Sequence, residues 1–130
     1  GERRVYDGKG VLATRRSDGS VVLALWNYAP PVSTDATYVK GRPTGPTKRF
    51  IVDVSHLDRV RSATVWRLDP DHGNVIAAFD AMGRPDYPTR AQIRALRRAG
   101  RMAPAEHVRV QGGRFSLKVP PQGLVVVRMK

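Results

Sequence analysis

The densest run of residues able to do chemistry is Asp69-Pro-Asp-His-Gly-Asn74, which places two carboxylates, an imidazole and a carboxamide side by side. Such a set could serve a metal site, an acid/base pair, or a shaped loop that docks on another surface. Each of these requires particular partners elsewhere in the chain, so the remaining residues decide among them.

A calcium loop is the metal site that this stretch most resembles. Asp69 and Asp71 fit its first and third positions, and Asp80 falls at the twelfth. The sixth position needs a glycine for the turn but is Asn74, because the glycine stands one residue too early at Gly73. Zinc is disfavoured because the three histidines are far apart and there is no cysteine. We predict no metal and no cofactor.

The sequence supports neither a catalytic pair of carboxylates nor a catalytic triad. A glycosidase needs two carboxylates facing one bond from opposite sides, whereas Asp69 and Asp71 lie two residues apart on one stretch of chain. Ser55, His56 and Asp58 could be drawn as a triad, but no nucleophile elbow frames them. No catalytic residue is predicted.

The remaining interpretation of the stretch is a loop whose side chains bind nearby backbone groups. We predict that it holds the junction after a strand and docks on a neighbouring surface. The residues of this structural or docking loop are Asp69, Asp71, His72 and Asn74.

Composition sets the class of protein. The chain has 130 residues, of which 41% are hydrophobic, enough for a single globular domain with a core. The lack of cysteine excludes disulfides and thiolate chemistry. No apolar run approaches the ~20 residues that cross a bilayer, so we expect no membrane partner. The N-terminus lacks the apolar segment of a signal peptide and starts as a fragment of a longer protein would.

The strongest compositional signal is the formal net charge of +12. Such a charge is compatible with binding to a polyanion. The basic residues are mostly arginines spread over the whole length, and no signature of a nucleic-acid-binding module is present. Nucleic acid is therefore the least favoured partner.

Two-residue alternation of apolar and polar side chains dominates the chain and predicts strands. Residues 11–15 and 21–27 flank an Asp-Gly turn signal and predict a hairpin, whose second strand is apolar on both faces and hence central in its sheet. Further strands are predicted at residues 48–54, 61–68, 114–119 and 123–129. The predicted fold is mainly β, an antiparallel β-sandwich of about six to eight strands.

One segment departs from this pattern. Thr89 and Gln92 form a capping box, apolar residues then recur on one helical face, and Gly100 fits a C-terminal cap. This predicts one short amphipathic helix, inserted at about residues 88–101. The opposite face is either a solvated surface or a docking face for an acidic surface, more readily protein than nucleic acid. Its residues are Arg90, Arg94, Arg97, Arg98 and Arg101.

Aromatic residues near the proline-rich stretch 29–47 could contact a sugar. Trp26 lies inside an apolar strand, which favours core packing for it. Tyr28 and Tyr38 are the candidate carbohydrate contacts.

Two blocks of sequence, read together, resemble a known family. Residues 12–31 read LATRRSDGSVVLALWNYAPP, and residues 65–100 read VWRLDPDHGNVIAAFDAMGRPDYPTRAQIRALRRAG. A Thr-Arg-Arg-x-Asp-Gly hairpin, an Ala-Leu-Trp-Asn strand, an Asp-x-x-His-x-Asn loop and a Met-Gly-x-Pro-x-Tyr-Pro-Thr run into a helix follow in this order. This order resembles the C-terminal part of glycoside hydrolase family 39, the β-xylosidases.

The resemblance implies that residues 1–130 are one accessory sandwich packed on a (β/α)8 barrel that this chain lacks. In that family both catalytic residues are glutamates of the barrel, and neither has a counterpart here. A barrel needs ~250 residues, so the chain alone is predicted to be inactive. The family also completes its sandwich with a strand from before the barrel, which would leave an unpaired edge here.

Three hypotheses about function follow, in order of preference. The chain is a non-catalytic module of a β-xylosidase-like enzyme that hydrolyses β-xylosidic bonds with retention, and its partner is the barrel. Alternatively it is an independent carbohydrate-binding module for xylo-oligosaccharide, or a basic nucleic-acid-binding domain. The resemblance implies a bacterial source and either the cytoplasm or the periplasm and medium.

Overall fold

The computed structural model describes residues 3–29, 44–57 and 60–130. Their elements follow in the order β1 (Arg3–Gly8), β2 (Val11–Arg15), β3 (Val21–Asn27), β4 (Lys48–Asp53), β5 (Ser62–Leu68), α1 (Val75–Ala81), α2 (Arg90–Ala99), β6 (Glu106–Arg109), β7 (Arg114–Val119) and β8 (Gly123–Met129). One six-stranded sheet has the order β1-β2-β3-β8-β5-β6, and β4 pairs with β7 in a second sheet. Every strand pair is antiparallel, so the predicted mainly β, antiparallel sandwich is confirmed.

The third strand, β3, lies in the interior of the larger sheet, as its two-sided apolar pattern predicts. It pairs with β2 on one side and β8 on the other. Leu23, Leu25 and Asn27 are buried on the face toward the second sheet, while Val22, Ala24 and Trp26 alternate with them and are half-buried. Period-two alternation therefore sends alternate side chains to opposite faces.

The hydrophobic core lies between the two sheets. Each fully buried aliphatic side chain there contributes about 1.5–3 kcal/mol through burial. The buried members are Ala13, Val21, Leu23, Leu25, Val54, Ala63, Val65, Phe115, Leu117, Val119, Val125, Val127 and Met129. In the strands β4, β7 and β8 the more buried side chains alternate with more exposed ones, as period-two alternation predicts.

Two polar side chains join the sheets at one end of the sandwich. The buried amide Nδ2 of Asn27 donates to the carbonyl of Val119 at 3.0 Å and to that of Pro46 at 2.8 Å. The guanidinium of Arg67 donates to the carbonyl of Lys118 at 2.9 Å and to Glu106 at 2.8 Å. These contacts tie β3 and β5 of the large sheet to the end of β7.

The turn between β1 and β2 depends on a glycine. Gly10 has a φ of +76°, and a Cβ there would lie 2.6 Å from the carbonyl oxygen of Trp26. The backbone N–H of Trp26 in turn donates to the carbonyl of Gly10 at 2.9 Å. Any side chain at this position would separate the turn from β3.

The sequence pattern did not predict β1, β6 and α1. The strands β1 and β6 are the two edges of the large sheet. An edge strand tolerates charged residues and pairs on one side only, so its alternation is weak. The helix α1 has seven residues, too few for a repeated helical pattern. The sequence predicted one helix in the sandwich, and the described residues form two.

Both helices lie in residues 69–105, between β5 and β6, a segment that we call the helical insertion. The start of α1 meets the end of α2, where a Cβ on Gly100 would lie 3.8 Å from the Cβ of Val75. Neither helix contains a buried residue. No helix in the described residues is long and apolar enough to cross a membrane.

Candidate functional site

The loop from Asp69 to Asn74 is a tight turn organised by one carboxylate. The backbone N–H of Asp69 donates to the carbonyl of His72 at 3.1 Å, and that of His72 donates to the carbonyl of Asp69 at 3.0 Å. Oδ1 of Asp69 accepts the N–H of Asp71 at 2.9 Å and lies 2.7 Å from Nδ1 of His72. The buried Asp69 carboxylate is thus satisfied within the loop itself.

Asn74 connects this turn to α1. Its Oδ1 accepts the backbone N–H groups of Ile76 at 2.9 Å and Ala77 at 3.4 Å, which makes it the N-cap of the helix. Its Nδ2 donates to the carbonyl of Pro70 at 3.2 Å. Gly73 before it has a φ of +66°, a conformation that glycine adopts without strain. The loop therefore fixes the direction in which α1 leaves β5.

This geometry limits what the loop can do chemically. The carboxylate of Asp69 already accepts two contacts, and Asp71 contributes its backbone N–H to that set. Across residues 3–29, 44–57 and 60–130, no three His, Cys, Asp or Glu side chains gather as a metal site would require. The arrangement can position a helix, and it does not present a pair of carboxylates across a cleft.

The Ser55-His56-Asp58 combination offers no catalytic geometry among the described residues. The hydroxyl of Ser55 donates to Oδ1 of Asp53 at 2.6 Å, and its backbone N–H donates to the same oxygen at 3.0 Å. These bonds, followed by that from Arg114, hold the pKa of Asp53 at about 2, below its usual 3.8. Asp58 lies outside the described residues.

Asp18 repeats this arrangement in the turn between β2 and β3. Its Oδ1 accepts the hydroxyl of Ser20 at 2.5 Å and the backbone N–H of Ser20 at 2.9 Å. The guanidinium of Arg128 donates to the other oxygen at 3.1 Å. The Ser20 hydroxyl, the Ser20 backbone and the charge of Arg128 together hold the pKa of Asp18 at about 2. In both Asp-x-Ser turns the carboxylate accepts the hydroxyl and the backbone N–H of the serine, which stabilises the turn.

The helix that the sequence predicts is α2, and it begins and ends at the predicted caps. The backbone N–H of Gln92 donates to Oγ1 of Thr89 at 3.2 Å, and that of Thr89 donates to Oε1 of Gln92 at 2.8 Å. The C-cap is Gly100. Ile93, predicted on the buried face, is 37% exposed, because it lies at the boundary between the apolar and the basic faces.

The basic face of α2 is solvent-exposed. In the described part of the chain none of its side chains pairs with a carboxylate. The exposed residues are Arg90, Arg94, Arg97, Arg98 and Arg101. This surface, which we call the arginine face, concentrates positive charge along three turns of helix.

The proposed aromatic contacts fall in different environments. Tyr28, directly after β3, is 68% exposed. Tyr38 lies outside the described residues. Trp26, expected in the core, instead lies half-buried on the outer face of the large sheet, in one row with Leu124 and Leu68. The reason is alternation, because Leu25 and Asn27 on either side of it point inward.

Tyr87 was not predicted as a functional residue, yet it is the most exposed large hydrophobic residue of those described. It lies between Pro85 and Pro88 in the connection from α1 to α2 and is 94% exposed. An aromatic residue flanked by prolines, in a stretch with neither helical nor strand periodicity, is the signal that could have found it.

Three solved structures share this fold over nearly the whole chain. A monomeric β-xylosidase from Caulobacter crescentus CB15 matches 97% of this chain and 27% of its own, with a TM-score of 0.72 and 19% identity. The family 39 glycoside hydrolase of Xanthomonas axonopodis pv. citri matches 98% of this chain and 27% of its own, with a TM-score of 0.69 and 18% identity. A family 39 β-xylosidase from Caulobacter crescentus matches 98% and 24%, with a TM-score of 0.66 and 16% identity.

The likeness is one of fold, since the identities are low. No protein-family model matches the sequence. The chain spans about a quarter of the length of each matched enzyme. It therefore has the fold of one part of each of these longer enzymes.

Proposed function

We propose that this chain is a non-catalytic accessory β-sandwich of a glycoside hydrolase, and that its partner is the catalytic domain of the same enzyme. The observation that carries the proposal is the match of 97% of this chain to 27% of a β-xylosidase. The same fold is about a quarter of each of the three longer enzymes, which supports an accessory role. The two sequence blocks at residues 12–31 and 65–100 favour a C-terminal position, after the barrel.

The carboxylates of the chain support a non-catalytic role. Two glutamates are present, and of these Glu106 binds the guanidinium of Arg67 at 2.8 Å on an edge strand. A hydrolytic pair requires two carboxyl groups facing one glycosidic bond, about 5–9.5 Å apart across a cleft. Asp18, Asp53 and Asp69 each accept hydrogen bonds within their own turns. These local partners support placing the reaction in the proposed catalytic domain.

The substrate proposed for the whole enzyme is a β-xyloside, cleaved with retention of the anomeric configuration. The test is the product of the complete gene. We expect a (β/α)8 barrel encoded before residue 1, release of xylose from xylo-oligosaccharide, and a β-anomer as the first product by proton NMR. The 130-residue chain alone should not hydrolyse an aryl xyloside. Turnover that follows the purified chain through successive columns would contradict the proposal.

A carbohydrate-binding module is the second candidate, favoured by the exposure of Tyr28. An aromatic ring that is 68% exposed can stack on a sugar ring. Calorimetric titration of the chain with xylo-oligosaccharide tests it, with Tyr28→Ala and Tyr38→Ala as variants and Ile51→Ala as an exposed control. Heat of binding that both tyrosine variants lose and the control retains would favour this second function.

A further inference from the structure

The helical insertion lacks a core of its own. The helices α1 and α2 have seven and ten residues, and neither has a buried residue. Isolated helices shorter than ~12–15 residues are marginal in water, and most helical stability in proteins comes from packing an apolar face. The insertion is anchored at its base, where Gly73 lies against the side chain of Leu68 and the carbonyl of Arg101. Apart from Asp69, the rest of the insertion is half-buried or exposed among the described residues.

Exposed apolar residues concentrate on this segment. Of the large hydrophobic residues exposed in the described structure, Tyr28 and Ile51 lie elsewhere on the sandwich. The others belong to the insertion or to the last residue of β5. They are Leu68, Val75, Ile76, Tyr87, Ile93 and Met102. Tyrosine and methionine are enriched where proteins bind one another, and an exposed set of this kind indicates a surface that a partner covers.

The charge of the insertion indicates the chemistry of that partner. From residue 75 to residue 102 the chain has six arginines and two aspartates. One arginine, Arg84, binds Asp80 on α1. The five on the arginine face have no carboxylate partner in the described residues. Ile93 is adjacent to Arg94 and one helical turn from Arg90 and Arg97, so apolar and cationic groups share one surface.

The combination of exposed apolar residues and exposed arginines fits some classes of binding partner better than others. A nucleic-acid interface is dominated by cations and polar groups that contact phosphates, and it has little use for an exposed tyrosine, isoleucine and methionine in the same segment. A neutral sugar has no charge to pair with the arginines. An acidic protein surface with an apolar centre complements both components.

We infer that the helical insertion is the element that docks on the catalytic domain, with the arginine face against an acidic surface and Tyr87 as the apolar anchor. The inference rests on the proposed function, which supplies the catalytic domain as the occupant. About three quarters of each matched enzyme lies outside the region that corresponds to this chain, so a large partner surface belongs to the same polypeptide. Tyr and Arg are the residue types that most often dominate binding energy at protein interfaces.

Amide hydrogen exchange of the complete enzyme tests the inference directly. The variant Arg94→Glu/Arg97→Glu reverses two charges on the arginine face. The control Arg61→Glu/Arg109→Glu makes the same change in net charge at two exposed arginines of the sandwich. We expect exchange in α2 to be at least ~10-fold faster in the first variant than in the control, because the docked helix loses its partner. The protection of α2 in the unmodified enzyme should also fall as salt is raised.

A second pair of variants tests Tyr87 as the apolar anchor. Tyr87→Ser removes the most exposed apolar group of the insertion, and Ile51→Ser removes a group that is 73% exposed on β4. We expect Tyr87→Ser to increase exchange in residues 75–102 by ~10-fold and Ile51→Ser to leave it unchanged. Circular dichroism of each variant shows whether the sandwich remains folded.

The outcomes separate this inference from the proposed function. A gene that encodes no catalytic domain overturns both. A complete, active enzyme in which α2 exchanges equally fast in the charge-reversal variant, its control and the unmodified protein overturns the docking surface alone. Co-purifying nucleic acid that the charge-reversal variant loses, together with unchanged exchange in nuclease-treated enzyme, assigns the arginine face to a polyanion and also overturns it.

Discussion

The sandwich and the helical insertion stabilise their backbones in different ways. The sandwich buries valine, leucine and methionine side chains from two sheets in one cluster, several of them with no exposed surface at all. The insertion buries none in either helix and depends on caps, namely Asn74 for α1 and the Thr89–Gln92 box for α2. Among the described residues, the sandwich is therefore stabilised by a buried core, and the helices of the insertion by their caps.

The largest expected effect is in the sandwich core. Leu25 is 1% exposed, and Leu25→Ala should lower the free energy of unfolding by about 3 kcal/mol, because it leaves a cavity among well-packed neighbours. Ile93→Ala on α2 should cost less than about 1 kcal/mol in the same chain. Urea denaturation of both variants measures the contrast. Equal losses would mean that the insertion belongs to the same cooperative core, contrary to the comparison.

A smaller loss is expected where the two sheets are joined. Asn27→Ala removes the donor to the carbonyls of Val119 and Pro46 in a buried site, at a cost of about 2 kcal/mol. Asn27→Asp keeps the size of the side chain but replaces the donor with an acceptor, so it should be at least as destabilising. The measurement is again urea denaturation. An Asn27→Asp variant as stable as the original protein would show that the amide donor is unimportant.

The cap of α1 should have a local effect. Asn74→Ala removes the acceptor for the backbone N–H groups of Ile76 and Ala77, which costs about 1 kcal/mol of helix stability. Asn74→Asp retains the acceptor and loses only the bond from Nδ2 to the carbonyl of Pro70, so the difference between the two variants reports the cap. We expect faster hydrogen exchange in residues 75–81 with the urea midpoint of the sandwich unchanged. A shift of that midpoint as large as the one from Asn27→Ala would show that the two regions unfold together.

The smallest expected effect is on the stability of the fold at acidic pH. The folded-state pKa values of Asp18 and Asp53 are about 2, below the usual 3.8, so each carboxylate stabilises the fold above about pH 4. That stabilisation is lost as the pH falls from about 4 to about 2. The double variant Asp18→Asn/Asp53→Asn should therefore show a shallower decline of the urea midpoint across this range. Parallel declines in variant and original protein would contradict the assignment to these two turns.

Prediction from the sequence succeeded where local signals and burial agree. The strands at residues 11–15, 21–27, 114–119 and 123–129 were predicted with the bounds that the structure shows, since each combines alternation with a turn signal or a proline at its end. It failed for the edge strands β1 and β6 and for α1, which are short or polar. It also placed Trp26 in the core, although the neighbouring Asn27 is the side chain that turns inward to bind Pro46 and Val119.

The sequence by itself determined the strand pattern, the capping box of α2, the cationic character of its outer face and the absence of a metal motif, because these depend on residues close together in the chain. Only the tertiary structure decided that Asp69 accepts hydrogen bonds within the loop, that Arg67 and Asn27 join two sheets, and that Tyr87 and the arginine face are exposed. Burial and pairing between distant segments have no local signature, because they arise only when the chain has folded and each surface has, or lacks, a neighbour.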